Sequence, residues 1–401
     1  MQYDYDLLIA GGGLAGNCLA LALKGSGLRI AIIEANTRAQ QQAAPAGDRA
    51  LALAAGTVNA LETLGIWQGI ADKATAIKHI HISDRGHFGK ARLSAEKNHV
   101  PALGYVITAR DIEGHLADLV GQGPIDVIAP ARLAGLMPGG EAINVSLKQG
   151  NDSINLSAKL LVGADGGMSS VRALLDIPQH STDYRQTALV TTVKSSLPHH
   201  NTAYERFTAS GPLALLPQGT HHSSVVWTRT TDEAEALMLG SEKDFLNELQ
   251  DCFGFRLGEL ALTAPRRAFP LSLIRAETMQ RDRAVIIGNA AHQLHPVAGQ
   301  GFNLGLRDVM QLAANLTGVA QNQHDIGSRD VLSAYTQARL KDHARVIGFT
   351  DSVVKIFSND WLAIAAARNL GLAVLDHIPS AKAALAKQAM GLANWIDQRA
   401  S

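Results

Sequence analysis

The stretch Tyr5–Glu34 constrains the fold more than any other part of the chain. Tyr5–Ala10 is a short apolar run suited to a buried strand, and Gly11-Gly12-Gly13-Leu14-Ala15-Gly16 follows it. Asn17–Lys24 continues as an apolar helix, and Arg29–Ile33 is a second strand closed by Glu34. Strand, glycine turn, helix and acid-terminated strand in this register describe a compact βαβ unit for a dinucleotide. Gly11 permits the tight turn, Gly13 lets a pyrophosphate approach the backbone, and Gly16 lets helix and strand pack closely. Leu14 and Ala15 belong to this turn and are counted with its glycines as cofactor contacts. Glu34 suits a ribose diol and disfavours a 2′-phosphate, so NADPH is not expected at this site. A packed turn without ligand is the alternative, and agreement among all the parts argues against it.

A second device lies at Arg283–Asp308. Ala284–Ile287 reads as a buried strand, and Gly288-Asn289-Ala290-Ala291-His292 turns on small residues. Pro296-Val297-Ala298-Gly299-Gln300-Gly301 is a loop that lets backbone approach a flat, rigid group. From Phe302 the pattern is helical, so the loop ends at a helix start that can hold an anion or an anionic ring edge. Between the two devices, Lys159–Gly166 reads as a strand ending in a turn with Asp165, ahead of a helix started by Ser169 or Ser170. Asp165 is either a helix cap or a ligand contact. Arg49, at the mouth of an apolar stretch running into a helix through Leu64, and Arg110, at the start of helix Ala109–Val120, are candidate counter-charges to a phosphate. Asn36–Gly47 reads as a surface loop.

The middle of the chain differs. Thr187–Val193, Ala203–Thr208, Leu213–Leu216 and Ser223–Thr228 are short strands between Gly, Pro and His turns, and read as a mostly antiparallel sheet. The expected class is α/β. A discontinuous nucleotide domain (1–75, 105–178 and 276–330) would accompany a sheet domain (76–104 and 179–275) and a helical region (331–401). Lysines plus arginines and aspartates plus glutamates both number 36, so a nucleic-acid surface is not expected. The two cysteines, Cys18 and Cys252, do not make a disulfide framework, and no Cys/His spacing suggests a metal. No signal segment is read at the start, and no apolar run approaches the roughly 20 residues of a membrane span. A protein that is soluble, or attached only to a membrane surface, is expected.

The Gly11–Glu34 fingerprint, Gly163-Ala164-Asp165-Gly166 with Ser169 and Arg172, and Gly288–His292 with its glycine-rich helix start occur in this order. Together they resemble the flavoprotein aromatic-ring monooxygenases related to p-hydroxybenzoate hydroxylase. The run from His295 to Gly305 is especially similar to the flavin loop of the ubiquinone-biosynthesis hydroxylases. Ser83–Gly86, Glu205–Trp227 and Phe349–Ser352 resemble the members that act on an octaprenylated methoxyphenol. The similarity extends from Tyr5 to beyond Trp361.

This resemblance implies a Rossmann-type FAD-binding domain, an antiparallel substrate sheet and C-terminal helices. It implies bound FAD, NADPH or NADH as a visiting reductant, and O2 as co-substrate. A flavin hydroperoxide would then hydroxylate a polyprenylated phenol in ubiquinone synthesis. Flavin contacts fall on Asp165, Asn289, Pro296, Gly299, Gly301 and Asn303, together with Gly11, Gly13, Leu14, Ala15, Gly16, Glu34, Arg49 and Arg110. Most relatives carry Gly-Asp where this chain has Gly288-Asn289, and asparagine keeps an acceptor oxygen there. Leu213–Pro217 would lie nearest the substrate. His295 and Tyr204 are weak candidates for a substrate base. Other enzymes of the pathway are expected partners, and self-association is compatible with the sequence. A reductase or dehydrogenase of similar fold, or a non-catalytic flavin-binding subunit, are the alternatives. The apolar residues Val353–Ile364, with Trp361, and Leu370–Ile378 are expected to pack on the nucleotide domain or to dock on lipid or a partner. A cytoplasmic protein, peripheral on the inner membrane, would follow from docking.

Overall fold

The computed structural model describes residues 3–86, 89–296, 299–357 and 378–392. Short β-branched and leucine-rich runs, apolar on both faces, form the parallel core of one sheet. Its order across the parallel part is Ala284–Ile286, Asp152–Gly163, Tyr5–Ala10, Ile30–Ile33, Ile125–Ile128. The chain leaves Tyr5–Ala10 toward Ile30–Ile33 on one side and later returns as Asp152–Gly163 on the other. A topological switch point therefore lies at the ends of these strands, where Ala10 pairs with both Gly163 and Ile33. The amino-terminal half of Asp152–Gly163 pairs antiparallel with Ile143–Gln149, which pairs with Arg132–Pro138. Helices Leu14–Ala22 and Gln300–Gln321 contact one another and share a core with the parallel strands.

A second, mixed sheet runs His292–Gln293, Arg267–Ala276, Gln179–Ser195, His222–Thr230, Gly211–Gln218, Thr202–Thr208, His79–Asp84, Lys90–Ser94. All its pairs are antiparallel except Thr202–Thr208 with His79–Asp84. One face packs on helices Thr231–Leu239 and Glu242–Phe253 around Leu213, Leu215, Val225 and Trp227. The other face is turned to the nucleotide-binding half. Gln179–Ser195 is far longer than the expected Thr187–Val193, because its two ends extend along Arg267–Ala276 and Leu260–Leu262.

One local expectation is corrected and two are made specific. The apolar stretch that leads into the helix through Leu64 is a strand, Ala50–Ala54, which pairs with Gly104–Thr108 in a small third sheet. The apparent loop at Asn36–Gly47 contains helix Arg38–Ala43, started by a Thr37–Gln40 capping box. The helix beginning at Ala109 is capped by Thr108, whose hydroxyl accepts from the Asp111 amide.

At the carboxyl end, helix Arg329–Phe357 follows Gln300–Gln321, and Pro379–Ala389 is helical. Ala386 and Met390 are buried against Ile77, Leu93, Val106 and Ala203. The Met390 carbonyl accepts a bond from the Gly56 amide. This last helix is therefore core. The proposed docking stretch Phe357–Ile364, with Trp361, and Leu370–Leu375 lie outside the described residues or their described side chains. Among the described residues no helix is long and apolar enough to cross a membrane.

Candidate active site

The turns that follow three parallel strands open on one cavity of about 1300 Å³. Gly11–Ala15 and Glu34 form one end; Ala164–Gly166, Gly288-Asn289, His295, Pro296 and Gly299–Gly301 form its flank. The three fingerprint glycines divide the work. A Cβ on Gly11, where φ is +107°, would lie 2.5 Å from the Ala164 carbonyl oxygen, and one on Gly16 would lie 1.9 Å from the Gly11 carbonyl oxygen. These two glycines permit close backbone packing, and Gly16 does not line the cavity. A Cβ on Gly13 would meet nothing within 4 Å. Its bare backbone borders open cavity at the start of helix Leu14–Ala22, which has no side-chain cap. Glu34 accepts from the Gly12 amide at 2.9 Å through Oε2 and from the Asn36 amide at 2.8 Å through Oε1. Both bonds orient its carboxylate at the cavity edge.

Asp165 serves as cap and lining residue together. Its Oδ2 accepts from the amides of Ser170 and Val171, at 2.6 and 3.2 Å. Its Oδ1 is buried without a partner, a state that costs free energy unless a ligand donor satisfies it. Arg172 is buried and ties this turn to the next, donating to the carbonyls of Ala290 and Gly167. Asn289 is exposed and lines the cavity, as do Pro296, Gly299 and Gly301.

Other candidates are committed to protein contacts. Asn303 accepts from the Ala54 amide and the Thr57 hydroxyl, and donates to the carbonyls of Ala52 and Gly299. Its amide is fully used in fastening the loop to strand Ala50–Ala54, so it shapes the site without offering a free group. Arg110 donates to Asp48 at 2.6 Å, and Arg267 also bonds Asp48. Arg49 is exposed, donates to the Ala46 carbonyl and lies over the Phe269 ring. Both arginines line the cavity. Burial pushes the His295 pKa down to about 4, so its imidazole is neutral. Tyr204 borders the cavity, but its ring packs edge-on against Phe253, 5.3 Å away, on the helix-covered face. That orientation removes it as a substrate base.

One buried cluster escaped the sequence reading. Asp308 accepts from Gly288 N and His292 Nε2 through Oδ2, and from Arg339 Nε and His343 Nε2 through Oδ1. It thereby joins the Gly288 turn to both long helices. The ligand atoms of His292, Asp308 and His343 lie within 4.8 Å of one another, close enough for a metal ion. The Arg339 guanidinium on the same carboxylate opposes a second cation there, and hydrogen bonds account for the geometry. The only sequence trace of this cluster is the four-residue spacing of Arg339 and His343, which puts both on one helix face.

Gly299 takes a left-handed φ of +61°, and helix Gln300–Gln321 starts there without a side-chain cap. Backbone amides at a helix start stabilise negative charge on a reduced flavin ring. Gly301→Pro removes one amide at a helix position that tolerates proline. It is expected to lower the reduction potential of bound flavin, read by spectroelectrochemistry. An unchanged potential in a folded, flavin-loaded variant would show that this loop does not touch the ring.

The cavity has open space beside the bare backbone of Gly13, the carboxylate of Glu34 at its edge and an orphaned carboxylate oxygen at Asp165. These features fit a dinucleotide carrying a ring system. Residues 4–350 match the family profile described as FAD binding domain. The chain is 33% identical to the ubiquinone hydroxylase UbiL of Rhodospirillum rubrum over 392 residues, covering 96% of this chain and 89% of that protein. It is 29% identical to the 3-demethoxyubiquinol 3-hydroxylase of Escherichia coli, covering 96% and 98%. The p-nitrophenol 4-monooxygenase structure from Pseudomonas putida superposes with a TM-score of 0.80 at 17% identity, covering 98% of each chain, which shows a shared fold. The chain belongs to the FAD-binding flavoprotein monooxygenases, in the family of ubiquinone-biosynthesis hydroxylases.

Proposed function

We propose that this enzyme hydroxylates the aromatic ring of a polyprenylated phenol on the path to ubiquinone, with an octaprenylated methoxyphenol as the preferred substrate. The observation that carries the reading is the continuity of the cavity. The dinucleotide cradle runs into an apolar floor on the mixed sheet, made by Ile80, Ile82, Leu93, Ala203, Ala214 and Leu216. An apolar wall of that kind suits a hydrophobic aromatic ring and excludes water. FAD, reduced by NADPH or NADH and reoxidised by O2, supplies the oxygen-transfer chemistry when bound. The chain's own residues hold the nucleotide at Gly13 and Glu34 and place the phenol against the sheet.

Such a substrate partitions into lipid. We therefore place the enzyme at the cytoplasmic face of the inner membrane, collecting substrate from the bilayer or from a neighbouring enzyme of the pathway. Vesicle co-sedimentation tests this, and protein that stays in the supernatant would remove direct lipid contact. The function itself is tested by incubating flavin-loaded protein with NADPH, O2 and a prenylated phenol, with mass spectrometry of the product. Identifying the quinone precursor that accumulates in cells lacking the chain then assigns the ring position. NADPH oxidation with no oxygenated product from any phenol would favour a reductase. Flavin binding with no turnover, alone or with pathway partners, would favour a scaffold subunit.

A further inference from the structure

One ionisable group on the cavity floor has no assigned role. The strand registers place Ile82, Glu205, Ala214, Val226 and Val190 side by side across five strands of the mixed sheet. All five line the cavity. Glu205 is the one charged side chain in this row, and its strand neighbours on the same face are Ala203 and Phe207. It makes no hydrogen bond or ion pair with any described residue, and its accessible surface opens on the cavity. A carboxyl left unpaired on an apolar wall is unfavourable for folding. Its placement makes sense if a polar group of the substrate completes it.

Resting on the reading that the substrate is a phenol, we propose that Glu205 is the catalytic base that binds the phenolic hydroxyl and takes its proton. In this step the substrate O–H bond breaks, the proton passes to a carboxylate oxygen of Glu205, and the electron pair stays on the phenolic oxygen. That pair raises electron density on the ring carbons ortho and para to the oxygen, where hydroxylation needs it. Burial supports the assignment by pushing the Glu205 pKa up to about 7. A carboxyl so tuned is a stronger base than an ordinary glutamate and is still largely ionised just above neutrality. Few other ionisable groups lie on the elements packed around it. Asp84 shares its face on the adjoining strand, His295 borders the same cavity, and Lys382 and Lys387 belong to the C-terminal helix packed nearby. Tyr204, Arg206 and His81 project from the opposite side of the sheet by strand alternation.

Glu205→Gln keeps the shape and removes the base, and Glu205→Leu makes the wall wholly apolar. The probes are 2-geranylphenol and its O-methyl ether. Wild-type holoenzyme is expected to lose kcat/KM for the phenol as pH falls below about 7. Glu205→Gln should lose roughly 100-fold in kcat and no longer show that acidic limb. Anaerobic titration, followed by the flavin absorbance, should show that wild type binds the phenol more tightly than the ether. Both variants should lose that preference with their flavin content unchanged. If wild type hydroxylates the phenol and Glu205→Gln retains its rate, its acidic limb and its preference for the phenol, the assignment of Glu205 is wrong. If wild type hydroxylates no phenol, the proposed function fails first. A Glu205→Leu variant that binds flavin and turns over normally would likewise overturn the assignment.

Discussion

Gly13→Val is expected to give a folded protein that takes up no FAD. The backbone at Gly13 has φ −85° and ψ −160°, an extended conformation open to any residue. A Cβ there meets no protein atom within 4 Å, so the backbone has room for a side chain. It fills the space in which a pyrophosphate would approach the amides of helix Leu14–Ala22. A loss of at least ~100-fold in affinity, about 2.7 kcal/mol, is expected. Flavin absorbance per protein together with a thermal melt separates binding from folding. The contrast is Gly16→Ala, whose Cβ would lie 1.9 Å from the Gly11 carbonyl oxygen, and which should fail to fold. A Gly13→Val protein with undiminished FAD affinity would place the pyrophosphate elsewhere.

Asp308→Ala is expected to lose about 3–5 kcal/mol of stability, a large part of the roughly 5–15 kcal/mol of a typical domain. Asp308 is fully buried and accepts four hydrogen bonds. Its removal leaves the Arg339 charge without its buried partner at Nε, although Asp342 still pairs with another guanidinium nitrogen. The amide of Gly288 and two imidazoles lose their acceptor as well. Burial alone would raise the Asp308 pKa, but contact with His343 and His292 holds it well below the usual carboxylate range. Burial lowers the His292 pKa, against the pull of Asp308.

The sign of the pH dependence follows from both shifts. The depressed carboxylate contributes stability that is present above its unfolded pKa of about 4 and is lost as pH falls toward the folded value. The neutral, buried His292 adds a loss that starts as pH falls below about 6.5, where the unfolded chain binds a proton that the folded chain resists. Wild-type stability should therefore decline in acid from about pH 6.5, and Asp308→Ala should lack the steeper part below about pH 4. Urea unfolding across this range measures it. A variant as stable as wild type would show that the cluster does not hold the helices to the Gly288 turn.

The sequence alone determined the local devices. Strand, turn and helix at Tyr5–Ala22, and again at Ala284–Gln321, follow from short apolar runs, glycines at fixed spacing and helical periodicity. All these signals lie within a few turns of chain. Capping by Ser169, one of two serines that could start its helix, was legible for the same reason. What faces what was decided by tertiary structure. Tyr204 and Glu205 are adjacent in one strand, and a strand's period of two sends their side chains to opposite faces, so only the sheet register reveals which side chain is turned to the cavity floor. The same alternation admits Ala214 and Leu216 of the expected Leu213–Pro217 face and turns Leu213 and Leu215 into the far core. Asn303 and Arg110 carry side chains suited to a cofactor, but folding brings Ala52, Ala54 and Thr57 to one and Asp48 to the other. Asp308 meets His343 across 35 residues, a closure set by the packing of two helices rather than by any local pattern.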